Sequence, residues 1–157
     1  MAEQYTFHSA SEADTERLGA VLAEALPQRV VVGLIGTLGA GKTRLVQAVA
    51  KACEVREDVS SPTFVMIREY QGRRPIFHFD AYRVRDDDEF QELGPTEYFE
   101  SDGLTFIEWS DRVHRHLPDD RVEIEIIALS ETAREFHIRV IGDQLAPLIL
   151  RLQETLG

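Results

Sequence analysis

The stretch Val30-Val31-Val32-Gly33-Leu34-Ile35-Gly36-Thr37-Leu38-Gly39-Ala40-Gly41-Lys42-Thr43 decides the fold. Its first half is a continuous apolar, β-branched run, the pattern of a central strand covered on both faces in a parallel α/β sheet. Its second half, Gly36 to Thr43, fits the Walker A pattern, in which glycines let backbone N–H groups wrap around phosphate oxygens without side-chain obstruction. A helix follows from about Lys42 to Ala52, with Leu45, Ala48, Val49 and Ala52 on one face, and its positive end adds to the field at the loop. Strand, loop and helix stand in the order that binding a nucleoside triphosphate requires, and ATP with Mg²⁺ is the expected ligand. Thr37, Leu38, Gly39, Ala40, Gly41, Lys42 and Thr43 form the expected binding run: Lys42 reaches the β- and γ-phosphates, and the Thr43 hydroxyl joins the magnesium shell.

Towards the N-terminus, a short strand at Tyr5 to His8 leads to Ser11-Glu12-Ala13-Asp14, which resembles a capping box. The helix after it carries Leu18, Val21, Leu22, Ala25 and Leu26 on one face, and Pro27 closes it. Beyond the loop, Thr63 to Tyr70 and Ile76 to Asp80 read as an antiparallel hairpin joined through Gln71-Gly72-Arg73-Arg74-Pro75. Asp87 to Leu93 reads as a helix ending at Gly94-Pro95, Leu104 to Ile107 as an apolar strand and Ser110 to His116 as a short helix. Residues 122–126 and 136–140 alternate apolar with polar, as a peripheral hairpin does, and Asp143 to Leu156 reads as a C-terminal helix. The expected fold is α/β: a P-loop NTPase-like three-layer sandwich with a mixed, mainly parallel central sheet and an antiparallel hairpin.

The length of 157 residues suits one domain, and without repeats or a dividing linker residues 1–157 read as a single P-loop ATPase domain. A formal charge of −11 argues against holding nucleic acid unaided, since that affinity comes largely from Lys and Arg neutralising phosphates. No apolar stretch reaches the roughly 18 residues that span a bilayer, and the first residues lack a signal-peptide pattern, so the expected location is cytoplasmic, with no membrane contact. Cys53 is the only cysteine. It excludes an internal disulfide and a cysteine-rich zinc site, and it reads as a small buried residue rather than a reactive thiol.

A P-loop also needs an acid at the end of a neighbouring apolar strand to hold magnesium. Ile76-Phe77-His78-Phe79-Asp80 and Leu104-Thr105-Phe106-Ile107-Glu108 each end in one. The second run is more uniformly apolar, which favours Glu108 on the metal side together with Thr43 and leaves Asp80 to orient or activate the attacking water. Lys42, Asp80 and Glu108 are therefore the candidate catalytic residues, a strand-end cap being the structural alternative for Asp80. Arg83 and Tyr82 follow closely, near the γ-phosphate or at a partner surface, with exposure on a packed turn as the alternative. His78 reads as a hydrogen-bonded structural histidine rather than a metal ligand. Ser61 and Thr63 flank Pro62 as a nucleotide-sensing switch or a rigid turn, and Trp109 reads as a partner anchor, a stack near the nucleotide or core.

Gly36 to Thr43, Ser61-Pro62-Thr63-Phe64, His78-Phe79-Asp80-Ala81-Tyr82-Arg83 and Ile107-Glu108-Trp109 occur in an order and spacing that resemble the TsaE (YjeE) family of bacterial P-loop ATPases. The resemblance covers most of the chain, from the first helix to the hairpin after Pro118. It implies that ATP binding and slow hydrolysis to ADP support a complex with TsaB and TsaD. That complex attaches threonylcarbamoyl to the adenosine beside the anticodon of ANN-decoding tRNAs, and tRNA is met only through it. The resemblance also implies that Thr43 and Glu108 contact magnesium, Lys42 contacts phosphate and Asp80 is important for hydrolysis. Family members usually carry an acidic residue where this chain has Thr37, so a carboxylate role there is absent.

Two other readings compete. A P-loop small-molecule kinase would need an acceptor pocket and a lid with several arginines, for which Arg73, Arg74, Arg83 and Arg85 are candidates. A non-hydrolysing nucleotide-dependent switch would differ only in partner affinity between its ATP and ADP forms.

Overall fold

Residues 30–34 are buried on both faces because successive side chains of an extended chain point to opposite sides. Val30, Val32 and Leu34 enter one apolar cluster with Leu45, Val49, Leu104 and Phe106, while Val31 enters another with Phe77, Phe79, Phe90 and Ile107. Each fully buried side chain of this size contributes about 1.5–3 kcal/mol, so the run anchors two cores at once. The computed structural model describes residues 3–37, 39–60 and 66–157; the readings of Leu38, Ser61 and Thr63 lie outside the described residues.

Along the chain the strands are β1 (Glu3–Ser9), β2 (Arg29–Ile35), β3 (Ile67–Tyr70), β4 (Ile76–Asp80), β5 (Gly103–Glu108), β6 (Arg121–Ala128) and β7 (Arg134–Ile141). The helices are α1 (Glu12–Ala25), α2 (Lys42–Ala52), α3 (Asp87–Glu92), α4 (Pro95–Phe99) and α5 (Pro147–Leu156). One seven-stranded sheet runs in the order β1-β7-β6-β2-β5-β4-β3. Parallel pairing joins β6, β2, β5 and β4, and antiparallel pairing adds β3 at one side and β7 with β1 at the other. The sheet is thus mixed, with its parallel part at the centre, where strands covered on both faces belong.

This pairing brings the C-terminal ends of β1, β2, β4, β5 and β6 to one edge of the sheet, together with the start of β7. The P-loop leaves β2 at that edge, and Asp80 and Glu108 end β4 and β5 there. The Gln71 to Pro75 turn lies at the opposite edge.

Several local expectations shift. Ser11 caps α1 by accepting from the Asp14 N–H at 3.3 Å, but Asp14 accepts in return from the Ala10 N–H at 2.8 Å, one residue further back than a capping box. Pro95 does not only stop α3. With Gly94 left-handed (φ 67°), it opens α4, where the missing N–H is harmless at a first helical position. Pro147 does the same for α5, which begins there rather than at Asp143. Residues 110–116 form two 3₁₀ turns, Ser110–Arg112 and His114–His116. Among the described residues no helix is long and apolar enough to cross a membrane.

Candidate nucleotide-binding site

The turn from β2 into α2 depends on two glycines with positive φ, Gly39 at 79° and Gly41 at 114°, the latter being the N-cap of α2. A side chain is strained in that conformation, and its absence leaves the backbone open to a ligand. Lys42 begins the helix and folds back into the loop. Its Nζ donates to the carbonyls of Gly36 and Thr37, both at 2.9 Å, and stands 4.0 Å from the centre of the Trp109 ring. Burial pushes the Lys42 amine below its ordinary pKa, opposed by the carboxylates of Glu108, Asp80 and Asp111.

At the next residue of α2, the Thr43 hydroxyl donates to Glu108 Oε2 at 2.7 Å. His78 Nε2 lies 2.6 Å from the same oxygen. Asp80 pairs directly with Glu108 across β4 and β5, and its Oδ1 accepts from the Tyr82 N–H at 2.9 Å. Lys42, Asp80 and Glu108 are all buried. One ammonium facing two carboxylates leaves negative charge that a cation can balance. The hydroxyl and carboxylate oxygens suit a hard divalent ion such as Mg²⁺. Among the described residues no group of three or more His, Cys, Asp or Glu could hold a metal. Mg²⁺ is usually bound through one or two protein oxygens plus substrate phosphates, which these residues fit without a dedicated cage.

Trp109 adopts the left-handed conformation (φ 61°), and its N–H donates to the Leu34 carbonyl at 2.9 Å. That unusual backbone turns the chain out of β5 and brings the indole over Lys42. Tyr82 packs on it with ring centres 4.9 Å apart, and the Arg112 guanidinium lies over both rings. Gly33, opposite this turn, is needed for space: a Cβ there would meet Ser110 Oγ at 2.5 Å. A cleft of about 620 Å³ is lined by Lys42, Thr43, Asp80, Tyr82, Arg83, Glu108 and Trp109. A smaller cavity of about 180 Å³ meets it at Gly39, Gly41 and Arg44 and extends towards Ser11, Thr15, Arg134 and Phe136.

Every described candidate for the nucleotide site therefore lies at one sheet edge, Thr37 through its carbonyl to Lys42. Tyr82 and Arg83 are exposed there. Trp109 packs partly buried against the second apolar cluster, and its ring also contacts the P-loop lysine. The sequence reading missed Arg134, whose Nε donates to the Ala40 carbonyl at 2.8 Å while Nη1 holds the Ser130 and Ala133 carbonyls. It ties the β6–β7 turn to the P-loop, and no local pattern announces it. Three lid candidates lie elsewhere in function. Arg73 donates to the Ala52 carbonyl, and Arg74 to those of Ala23, Leu26 and Pro27, both at the far edge; Arg85 pairs with Glu89.

The sequence model of the family described as "Threonylcarbamoyl adenosine biosynthesis protein TsaE" matches residues 9–136. The chain is 36% identical over 130 residues to the tRNA threonylcarbamoyladenosine biosynthesis protein TsaE of Treponema pallidum, covering 83% of this chain and 96% of that one. It is 32% identical over 143 residues to the TsaE of Bacillus subtilis, covering 90% and 89% respectively. Among solved structures, Bacillus subtilis YdiB superposes with a TM-score of 0.85 at 28% identity, covering 100% of this chain and 99% of YdiB.

Proposed function

The chain belongs to the TsaE family of tRNA threonylcarbamoyladenosine biosynthesis proteins, and on that premise we propose that it binds ATP with Mg²⁺ and hydrolyses it as a cytoplasmic subunit acting with TsaD and TsaB. In this reading the modified tRNAs are the ANN-decoding ones, met only through the complex, and the transfer itself is performed elsewhere. The observation that supports it best is the 2.7 Å bond from Thr43 to Glu108. It sets a P-loop hydroxyl and a strand-end carboxylate side by side, the oxygen pair that holds magnesium in P-loop NTPases.

Lys42 leaves the Gly36 and Thr37 carbonyls and the Trp109 ring for the β- and γ-phosphates, while the loop N–H groups wrap the phosphate oxygens. Thr43 and Glu108 hold Mg²⁺, which when bound neutralises charge developing on the β- and γ-oxygens. Asp80 orients the attacking water, and Arg83 serves the γ-phosphate end of the cleft. The nucleoside takes the smaller cavity, whose wall Arg134 fixes against the loop at Ala40. A kinase has less support, because Arg73 and Arg74 are committed to helix ends.

The test is nucleotide turnover by wild type and Glu108→Ala, each alone and with TsaB, TsaD and tRNA, against a small-metabolite panel. Weak turnover that rises with the partners and collapses in the variant is expected. A phosphorylated metabolite, with the partners changing nothing, would establish a kinase instead. Partner affinity that follows bound nucleotide without any turnover would establish a switch.

A further inference from the structure

We propose that His78 is a positioning residue that fixes the Glu108 carboxylate for the metal, an inference that rests on the Mg²⁺-nucleotide reading above. On the α2-facing side of the sheet, β4 presents Ile76 and then His78, beside Leu104 and Phe106 of β5, and all four are fully buried. An apolar residue at position 78 would continue that pattern. The imidazole instead leaves Nδ1 buried without a hydrogen-bond partner among the described residues. Burying such a group costs about 1–3 kcal/mol, so stability alone does not account for it.

What the ring gains is Glu108. Because Glu108 Oε2 accepts from the Thr43 hydroxyl, the 2.6 Å contact with His78 is a bond donated by Nε2–H. Two donors from different elements, α2 and β4, converge on one oxygen, which fixes the plane of the carboxylate. Oε1 is left with no protein donor among the described residues. Thr43 can turn a lone pair to a metal while its hydrogen stays on Glu108, but a hydroxyl alone leaves the carboxylate free to rotate about it. His78 removes that freedom, as outer partners of metal ligands generally do.

The experiment compares wild type, His78→Leu, His78→Asn and His78→Gln. Affinity for a non-hydrolysable ATP analogue is measured with Mg²⁺ and with EDTA, and Mn²⁺ affinity of the analogue complex by electron paramagnetic resonance. Glutamine can place an amide N–H near the imidazole Nε2, whereas asparagine is too short and leucine has none. The Leu and Asn variants should keep their EDTA affinity within about twofold and lose roughly tenfold in Mn²⁺ affinity and in the gain from Mg²⁺, with Gln restoring most of both. The ratio is internal to each variant, so a general loosening of the fold would lower both arms alike, and that outcome overturns the proposal. A Leu variant with the full wild-type gain also overturns the role of His78 while leaving the nucleotide reading intact. Wild type that binds equally with and without Mg²⁺ overturns the nucleotide reading and the proposal with it.

Discussion

Arg74→Met should unfold this protein more easily while leaving nucleotide turnover alone. The Arg74 guanidinium donates through Nη1 to the Ala23 carbonyl at 2.9 Å and the Leu26 carbonyl at 2.8 Å, and through Nη2 to the Pro27 carbonyl. α1 has no basic residue in its own last turn, so this arginine from the β3–β4 turn supplies the positive charge its C-terminus favours. A hydrogen bond to a charged group is worth about 1.5–3 kcal/mol net. The three here share one half-buried group, and the freed carbonyls recover water in part, so the bonds do not add. Methionine keeps the apolar stem, which isolates the polar loss at about 2–4 kcal/mol including the helix-dipole contribution of roughly 0.3–1 kcal/mol. For a chain of this size, that is a fall in Tm of about 5–12 °C. Thermal and urea unfolding measure it, with a lower midpoint at unchanged m-value. Refutation would be an unmoved Tm together with lost turnover, which would put Arg74 in the chemistry and restore the acceptor-lid reading.

Asp80→Asn should keep nucleotide affinity within a fewfold and lower kcat roughly 10²-fold or more, as loss of a water-orienting base does; equal loss of affinity in a binding titration would make Asp80 a ligand-holding group instead. Lys42 is held below its ordinary pKa in the free protein, and phosphate should raise it, so binding at alkaline pH below about 10.4 should take up protons. Calorimetry in buffers of different ionisation enthalpy would read that uptake, and Lys42→Met should abolish it. In the same pH window the unfolded chain binds more protons at this lysine than the folded one, so this contribution makes stability rise with pH. Trp109 is the only tryptophan, and departure of Lys42 from its ring should change its emission; calorimetrically confirmed binding with an unchanged spectrum would mean the amine never leaves.

The strand at 30–35, the loop and α2 were legible because each is a local pattern: apolar run, paired glycines, helical periodicity. The two acids stood out too, since each closes a largely apolar strand, and the structure pairs them side by side and buried. Their division was not settled by that pattern. Strand order supports the proposed division, because β5 lies directly beside β2 and so brings Glu108 to Thr43, while β4 stands one strand further out with Asp80. Arg134 and Arg74 were illegible as partners, since each binds carbonyls about 50 to 90 residues away in the chain. Gly33 did carry a signal. A glycine inside a valine-rich strand marks a close backbone approach, and here it admits Ser110 and with it the turn that carries Trp109.

The charge pattern of the site then links the two ligands proposed for it. In the nucleotide-free protein Lys42 is satisfied by two carbonyls, an aromatic face and the fields of Glu108 and Asp80. A triphosphate offers that lysine a stronger partner but brings further negative charge beside two buried carboxylates, a repulsion that a low-dielectric edge magnifies. Loop N–H groups and the α2 dipole offset part of it. The rest requires a cation between phosphate and Glu108, so nucleotide and Mg²⁺ should bind with positive coupling. By reciprocity the same factor must appear when metal affinity is measured with and without nucleotide. Exchanging Glu108 for Gln should remove both halves of that coupling together, and an unequal loss would mean that the carboxylate acts on nucleotide by a route other than the metal.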